Sequence, residues 1–299
     1  MARIVLFAVL MVLTTSSMSI AGVMSDAYVF PVVVRSEGAA NSFWKTELCL
    51  NNPRPEELTL WLGIFQGGGV EQLLTVELDG WEVLCSDDFL WHWLGYTDWT
   101  GALFVVAPED ENYSIDSRYF SASARVYNDQ PQGTLGLNIE PEVDPGWYQG
   151  SRLEDPSRFG TVSGLRNYGI LGVSGFRTSV GFFNAMEAGE MITIMAYDSG
   201  GNVDWEKDLW VPGFTQIQLA VPKSVSITYG GVDAHKEGDQ WVLSYMTVTD
   251  NRSGDGLYRP NQLLYQGMQK SSDRRATDVL EKKCRELRAS GKQRTLPQK

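Results

Sequence analysis

The stretch Trp44 to Gly69 returns without a gap as Phe176 to Gly201, 132 positions further along the chain. Trp44-Lys45-Thr46-Glu47-Leu48-Cys49-Leu50-Asn51-Asn52 lies over Phe176-Arg177-Thr178-Ser179-Val180-Gly181-Phe182-Phe183-Asn184, and Leu60 to Phe65 lies over Ile192 to Tyr197. What is kept is apolar character at alternate positions together with the turn residues. Side chains on a strand alternate between faces, so this pattern predicts one β unit used twice.

The remaining strand signals agree. Tyr28–Arg35, Trp44–Asn51, Leu58–Phe65, Leu73–Leu78, Trp81–Cys85, Ala102–Ala107 and Ser117–Asn128 read as strands of the first unit. Thr161–Tyr168, Phe176–Asn184, Glu190–Asp198, Val203–Val211, Phe214–Val221 and Gln240–Thr249 read as strands of the second. Proline breaks the ladder at Asn52-Pro53-Arg54-Pro55, and glycine turns follow at Gly67–Gly69 and Ser199–Asn202. Trp44 and Trp81, matched by Phe176 and Phe214, are expected in the core. Short strands with frequent turns, and no crossover helices between them, predict an all-β fold of two tandem antiparallel β-sandwich domains. Their expected extents are residues 27–140 and 159–260, with 141–158 as a linker rich in proline, glycine and carboxylates.

Residues 1–21 read as an export signal peptide. Arg3 supplies the positive end, Ile4–Leu13 is apolar, and Ser19-Ile20-Ala21 has the small residues of a cleavage site. The apolar run is shorter than the ~20 residues that span a bilayer. The expectation is therefore a protein that is secreted, periplasmic or on the cell surface, and not membrane-spanning once cleaved. Residues 261–299 carry ten Lys or Arg against four Asp or Glu, a net +6 that leaves −18 on the rest. So acidic a body disfavours nucleic acid as partner. Asp273–Ala289 has helical spacing with Ala276, Leu280 and Leu287 on one side, Gly291 would end it, and Lys292–Lys299 reads as unstructured. The tail is thus expected to be a basic helical or disordered extension, docked or solvated.

The motifs Phe43-Trp44-Lys45-Thr46-Glu47-Leu48 with Asn52-Pro53, Asp87-Asp88 before a short helix, Gly101-Ala102-Leu103, Phe176-Arg177-Thr178 and Asp250–Asp255 occur in this order. In that order and spacing the chain resembles exported bacterial proteins of unknown function built from tandem Ig-like β-sandwich units of this length. The similarity runs over roughly Tyr28 to Arg259. It implies the fold and an extracytoplasmic setting, and it carries over no site residues. The basic tail departs from the pattern.

Reaction chemistry is hard to find. His92 and His235 are the only histidines, and no Gly-x-Ser-x-Gly elbow flanks a serine. His92, between two tryptophans, reads as a packing residue. A zinc ligand set, a phosphate-binding loop and a dinucleotide fingerprint are all missing, so neither metal nor cofactor is expected. Asp250–Gly256 and Pro108–Asn112 hold oxygen ligands but do not complete a calcium loop, and turn chemistry accounts for them. Cys49 and Cys85 fall on predicted strands of one unit, where an exported protein could join them; the spacing leaves that open.

One feature stands above background. Trp91, Trp93, Tyr96 and Trp99 cluster around a short helix after Ser86-Asp87-Asp88, with Ser86 as expected cap and Gly95 as stop, and the second unit has no counterpart. The cluster is either an exposed platform for sugar rings or a partner protein, or a set of rings tucked under the end of a sandwich. The function class expected is a non-enzymatic binding or surface-structural module, with a glycan or a protein as partner. The rival class is a carboxylate-dependent polysaccharide hydrolase, since acidic residues are plentiful.

Overall fold

A computed structural model describes residues 24–38, 42–67, 69–108, 118–130, 133–143, 158–236, 238, 241–260 and 275–296. The expected signal peptide (1–21), most of the expected linker and most of Pro108–Asn112 lie outside the described residues. What is described is almost entirely β.

The first half holds β1 (Ala27–Glu37), β2 (Phe43–Asn51), β3 (Leu58–Gln66), β4 (Gly69–Leu78), β5 (Val83–Ser86), β6 (Trp99–Val106), β7 (Ser121–Gln130), β8 (Gly133–Ile139) and β9 (Glu142–Val143). The second holds β10 (Arg158–Ile170), β11 (Ser174–Asn184), β12 (Glu190–Asp198), β13 (Val203–Val211), β14 (Thr215–Ala220), β15 (Ile227–Lys236), β16 (Val242–Asp250) and β17 (Gly256–Pro260). A four-residue helix α1 (Phe89–His92) interrupts the first half. The chain closes with α2 (Arg275–Ala289) and β18 (Gln293–Thr295). Pairing gives a ten-stranded sheet in the order β18-β4-β3-β6-β1-β2-β7-β8, with β5 on β2 and β9 on β1. The other sheet has eight strands, in the order β13-β12-β15-β10-β11-β16-β17, with β14 on β11.

β1 links two groups of strands. Its first part pairs with β6 from Ala27 to Arg35, and its end crosses to β2 at Ser36 and Glu37. Side chains from both groups then meet in one buried cluster, with Leu60, Leu62, Leu74 and Val105 from one and Leu48, Leu50, Val126 and Leu137 from the other. β10 does the same in the second sheet, pairing with β15 and then, at Tyr168–Ile170, with β11.

The turns that hold these groups recur. Asn52 and Asn184 are fully buried. The Asn52 amide donates to the carbonyls of Glu56 and Asp79, and its oxygen accepts from the Arg54 N–H. The Asn184 amide donates to Ala188 and Val211, and its oxygen accepts from Met186. Trp81 and Phe214 are the non-glycine residues with positive φ among those described, at 65° and 51°. A side chain in that region costs on the order of 1–3 kcal/mol. Each is held there by its own N–H, which donates to Arg54 O or Met186 O. The preceding glycines are required, because a Cβ on Gly80 or Gly213 would collide with the carbonyl oxygen of Pro55 or Glu187.

Several expectations need correction. β8, β15 and β17 carry no strong apolar alternation and are strands because neighbours offer them partners. Glu142–Val143, expected in the linker, pairs with β1. Trp81 is 67% exposed instead of core, since the left-handed turn swings its ring outward. Leu58–Phe65 is buried on both faces rather than one, as are β1 and β6 over most of their length.

What covers the outer face of β3 and β6 is the C-terminal segment and the second sheet. Leu280, Cys284 and Leu287 of α2 pack with Trp61, Phe65 and Phe104, and with Phe183, Phe214 and Leu243 from the second sheet. The rings of Phe183 and Phe214 lie 5.5 and 5.9 Å from that of Phe65. The helix comes so close that a Cβ on Gly63 would stand 2.8 Å from Cys284 Sγ. The tail is therefore docked. Lys292–Lys299, expected without structure, instead supplies β18, which pairs in parallel with Leu73–Thr75 of β4. An open sheet edge offers unpaired backbone groups, and this segment takes them up.

Leu280→Ala should lower the unfolding free energy by about 2–5 kcal/mol, the loss typical of a filled core position. Chemical denaturation measures it. A change within about 0.5 kcal/mol, as for a surface residue, would mean that α2 is not packed this way.

Candidate functional site

The aromatic cluster comes first, because the sequence singles it out. Asp88, not Ser86, occupies the cap of α1, and no side chain bonds the free amides. Ser86 Oγ instead lies 3.2 Å from His92 Nδ1, and Asp87 Oδ1 lies 3.2 Å from the same nitrogen. The strand β5 extends to Ser86, whose backbone pairs with Leu48, so its hydroxyl reaches the end of the helix at His92 and not the first amides. His92 is half exposed rather than packed. Gly95 ends the turn with φ 75°, its N–H donating to Trp91 O.

The four candidate rings do not share one face. Trp99 is 3% exposed and belongs to the core, with Tyr96 stacked on it at 5.7 Å. Trp93 meets Phe89 edge-on and packs against the same cluster. Trp91 alone of the four is well exposed. Its face is occupied by the Arg35 guanidinium, 5.1 Å from the ring centre and 4.9 Å from that of Phe43 on the other side. Arg35 also donates to Asp88 Oδ2 at 2.9 Å and to the Thr97 carbonyl. It acts as a clamp on the segment between β5 and β6, and the rings serve that clamp.

Cys49 and Cys85 are directly opposed on β2 and β5, with Cα atoms 4.1 Å and sulfurs 2.12 Å apart. Cys284 is a free, buried thiol whose proton is held more tightly than usual because burial disfavours the thiolate. Such a thiol is inert. Among the described residues no group of three or more His, Cys, Asp or Glu side chains could hold a metal. The Asp250–Gly256 loop is a turn. Asp250 Oδ1 accepts from the N–H groups of Arg252 and Ser253 and from Ser253 Oγ, and these bonds lower its pKa.

A site that the sequence does not announce lies where the two sheets meet. It is a cavity of about 350 Å³. One wall comes from the first sheet, with Val34, Trp44 and Val126; the other is the outer face of β11, β14 and β16, with Ser179, Gln218 and Thr247. Arg177 and Glu37 supply one charge of each sign. Arg177 bonds Asn251 Oδ1 at 3.4 Å; burial lowers its pKa and the nearby Asp250 opposes that effect. Pockets at such junctions are common ligand sites. Among the described residues Glu37 is the one carboxylate in the lining. The missed signal lies in Arg177 and Ser179 of β11 and Thr247 and Thr249 of β16, polar residues two apart that mark part of a face left without an apolar partner.

A second cavity, of about 440 Å³, lies at the far end of the second sheet, bordered by Arg166, Phe176, Tyr229, Val248, Leu257 and the Asp250–Asp255 turn. The Arg166 guanidinium sits between the rings of Phe176 and Tyr229, at 5.1 and 4.9 Å.

No protein-family model matches the chain, and no curated protein does. Among solved structures, an isomalto-dextranase of Arthrobacter globiformis T6 complexed with panose is similar over 72% of this chain and 39% of its own. The identity is 11% and the TM-score 0.22. The infectious bursal disease virus Gx strain structure is similar over 83% of this chain and 70% of its own, at 10% identity and a TM-score of 0.17. A β-glucuronidase from glycoside hydrolase family 2 is similar over 77% and 25%, at 11% identity and a TM-score of 0.16. The chain thus spans less than half the length of the first of these. Overlaps at such scores carry no argument about fold, ligand or reaction.

Two buried phenols give a pH signature. Desolvation, with Asp26 adding to it, pushes the Tyr28 pKa up to about 12, although its hydroxyl is bonded to the Phe120 carbonyl and the Ser25 amide. Desolvation and the charge of Asp87 raise Tyr127 to about 12 as well. Both groups hold their protons more tightly in the fold than at the ordinary value of 10.0. Their contribution is complete below that value and is lost as pH rises toward 12. Through these two groups the unfolding midpoint should therefore fall as pH rises above 10, with a shallower fall in Tyr127→Phe. A thermal melt series against pH tests this, and an unchanged alkaline slope in the variant would refute it.

Proposed function

We propose that this chain is an exported, non-catalytic binding protein of two tandem antiparallel β-sandwich domains, residues 27–140 and 159–260, related by duplication. Its ligand site is the cavity between them, and its ligand is a glycan. Duplication is supported by the Asn52 and Asn184 bond sets and by the positive-φ turns at Trp81 and Phe214. Export is supported by the pattern of Met1–Ala21 and by two opposed cysteines with sulfurs at bonding distance, a pairing that oxidising compartments favour. Among the described residues no helix is long and apolar enough to cross a membrane.

The observation that carries the binding reading is the composition of the cavity wall. Ser179, Gln218, Thr247 and Thr249 offer short hydroxyl and amide groups, Trp44 offers an apolar ring, and Arg177 offers a fixed cation. Hydroxyl-rich ligands need many directional polar partners and one flat apolar contact. The binding reading is favoured over hydrolysis because glycoside hydrolysis by acid and base uses two carboxyl groups, and Glu37 is the one in the lining among the described residues. Trp91, Trp93, Tyr96 and Trp99 do not enter this site.

Ala220 lines the cavity and is exposed, so Ala220→Phe should fill it without disturbing either core. On a glycan array the mature chain should bind a defined subset, and Ala220→Phe should lose that binding by about tenfold or more. Glycan binding unaltered by the substitution would remove this site. Release of reducing sugar in a polysaccharide hydrolysis panel, abolished by one Asp or Glu substitution, would establish the hydrolase instead.

A further inference from the structure

Five large apolar side chains stand in the open at one end of the second sheet. Ile170 (65% exposed), Leu171 (38%) and Val173 (61%) form the β10–β11 turn, and Tyr229 (58%) and Leu257 (45%) border the second cavity. Single exposed apolar residues are ordinary on a protein surface, but a cluster marks a contact site. The turn is fixed in place beside the cavity. The Gly172 N–H donates to Asn251 O, the Asn251 N–H donates to Gly175 O, and the Asn251 amide donates to the carbonyls of Tyr168 and Ser174. A rigid apolar edge of this kind loses little conformational entropy on docking.

The matching end of the first sheet tells what such an edge does. Phe176 and Asp250 are partners across β11 and β16, as Trp44 and Asn128 are across β2 and β7. Val248 and Leu257 are partners as Val126 and Leu137 are. In the first sheet Leu137 is covered by the second sheet, whose Gly256 lies so close that a Cβ there would stand 2.6 Å from it, while Trp44 and Val126 line the cavity between the sheets. In the second sheet Leu257 and Tyr229 stay exposed, with the Arg166 guanidinium on one face of the Tyr229 ring.

The rim is charged in a self-complementary way. Arg166 and Arg259 border the cavity with no carboxylate partner among the described residues, and Asp250 and Asp255 border it on the Asn251 side. Each aspartate has the bonds of its own turn and no arginine pairing across the cavity. A surface with an apolar centre and, on its rim, arginines and aspartates that do not pair with one another can meet its own copy turned by half a revolution. It is also a place where the strong negative charge of the body is locally balanced, so two copies meet there with the least repulsion.

We propose that two copies of this chain associate through this end of the second sheet in an isologous dimer. Ile170, Val173, Tyr229 and Leu257 form its apolar centre, and Arg166 and Arg259 of each copy face the aspartates of the other. The proposal is independent of the glycan reading, because the surface is not the cavity between the sheets and the test contains no glycan.

The test is sedimentation equilibrium of the mature full-length chain across the micromolar range. The expected result is a monomer–dimer equilibrium that Tyr229→Lys and Leu257→Asp each weaken by about tenfold or more, while circular dichroism stays unchanged. Two further variants probe the charges. The acidic double variant Arg166→Glu, Arg259→Glu should be monomeric alone, as should the basic variant Asp255→Arg, and the two mixed should form a heterodimer. Three results would overturn the proposal: a monomer at all concentrations, a dimer indifferent to Tyr229 and Leu257, or growth beyond a dimer, which signifies a head-to-tail contact.

Discussion

A strand that is apolar on both faces cannot lie at a surface, and β1, β3 and β6 are such strands. Their inner faces fill the first core, while Ala27, Val29, Trp61, Phe65, Phe104 and Val106 on the outer faces need a cover. At roughly 25 cal/mol for each Å² of apolar surface removed from water, leaving those rings and branched chains wet would cost several kcal/mol. Two elements distant in sequence provide the cover. Phe183, Phe214 and Leu243 come from the second sheet, and Leu280, Cys284 and Leu287 come from α2. The arrangement of the whole molecule follows from this shared cluster, which joins three segments that would otherwise have no reason to meet.

The cavity between the sheets is a consequence of that docking. Phe214, which sits at the shared cluster, begins β14 through its left-handed turn, and β14 lies beside β11. The outer faces of β11, β14 and β16 are thereby turned toward the first sheet. Those faces carry Ser179, Gln218, Thr247 and Thr249, too short and too polar to fill the space against Val34 and Trp44. A wet, polar-lined space results where an apolar contact would have closed. Tyr245 is held from the same side by Gln216 and Gln218, which satisfy its buried hydroxyl and fix the wall.

The aromatic cluster around α1 shows that residue type alone does not fix where a ring points. Tryptophan content near a short helix suggests a sugar platform, but a tryptophan is equally a large apolar body with a polar edge. The environment decides, and here three of the four rings pack inward while the fourth receives the Arg35 guanidinium. Asn167 does comparable work in the second half, where its amide donates to the carbonyls of Pro222 and Val225 and pins the segment between β14 and β15. Both are fasteners for a long connection.

Strand periodicity and the turn residues were legible from the chain itself, because they depend on interactions within a few residues: side chains alternate every second position, and proline cannot donate to a ladder. The strand β15 and the parallel β18 were not, since their partner strands lie far along the sequence; β8 and β17 pair with the strand just before them but carry too little apolar alternation to show it, and the exposure of Trp81 follows from its left-handed backbone. The helix at Arg275–Ala289 could be read from its spacing, yet its place against Gly63 could not. Local bonding writes itself into neighbouring residues. Which apolar faces meet, and which polar faces are left facing a gap, depends on the shapes of whole sheets, and only the tertiary structure decides that.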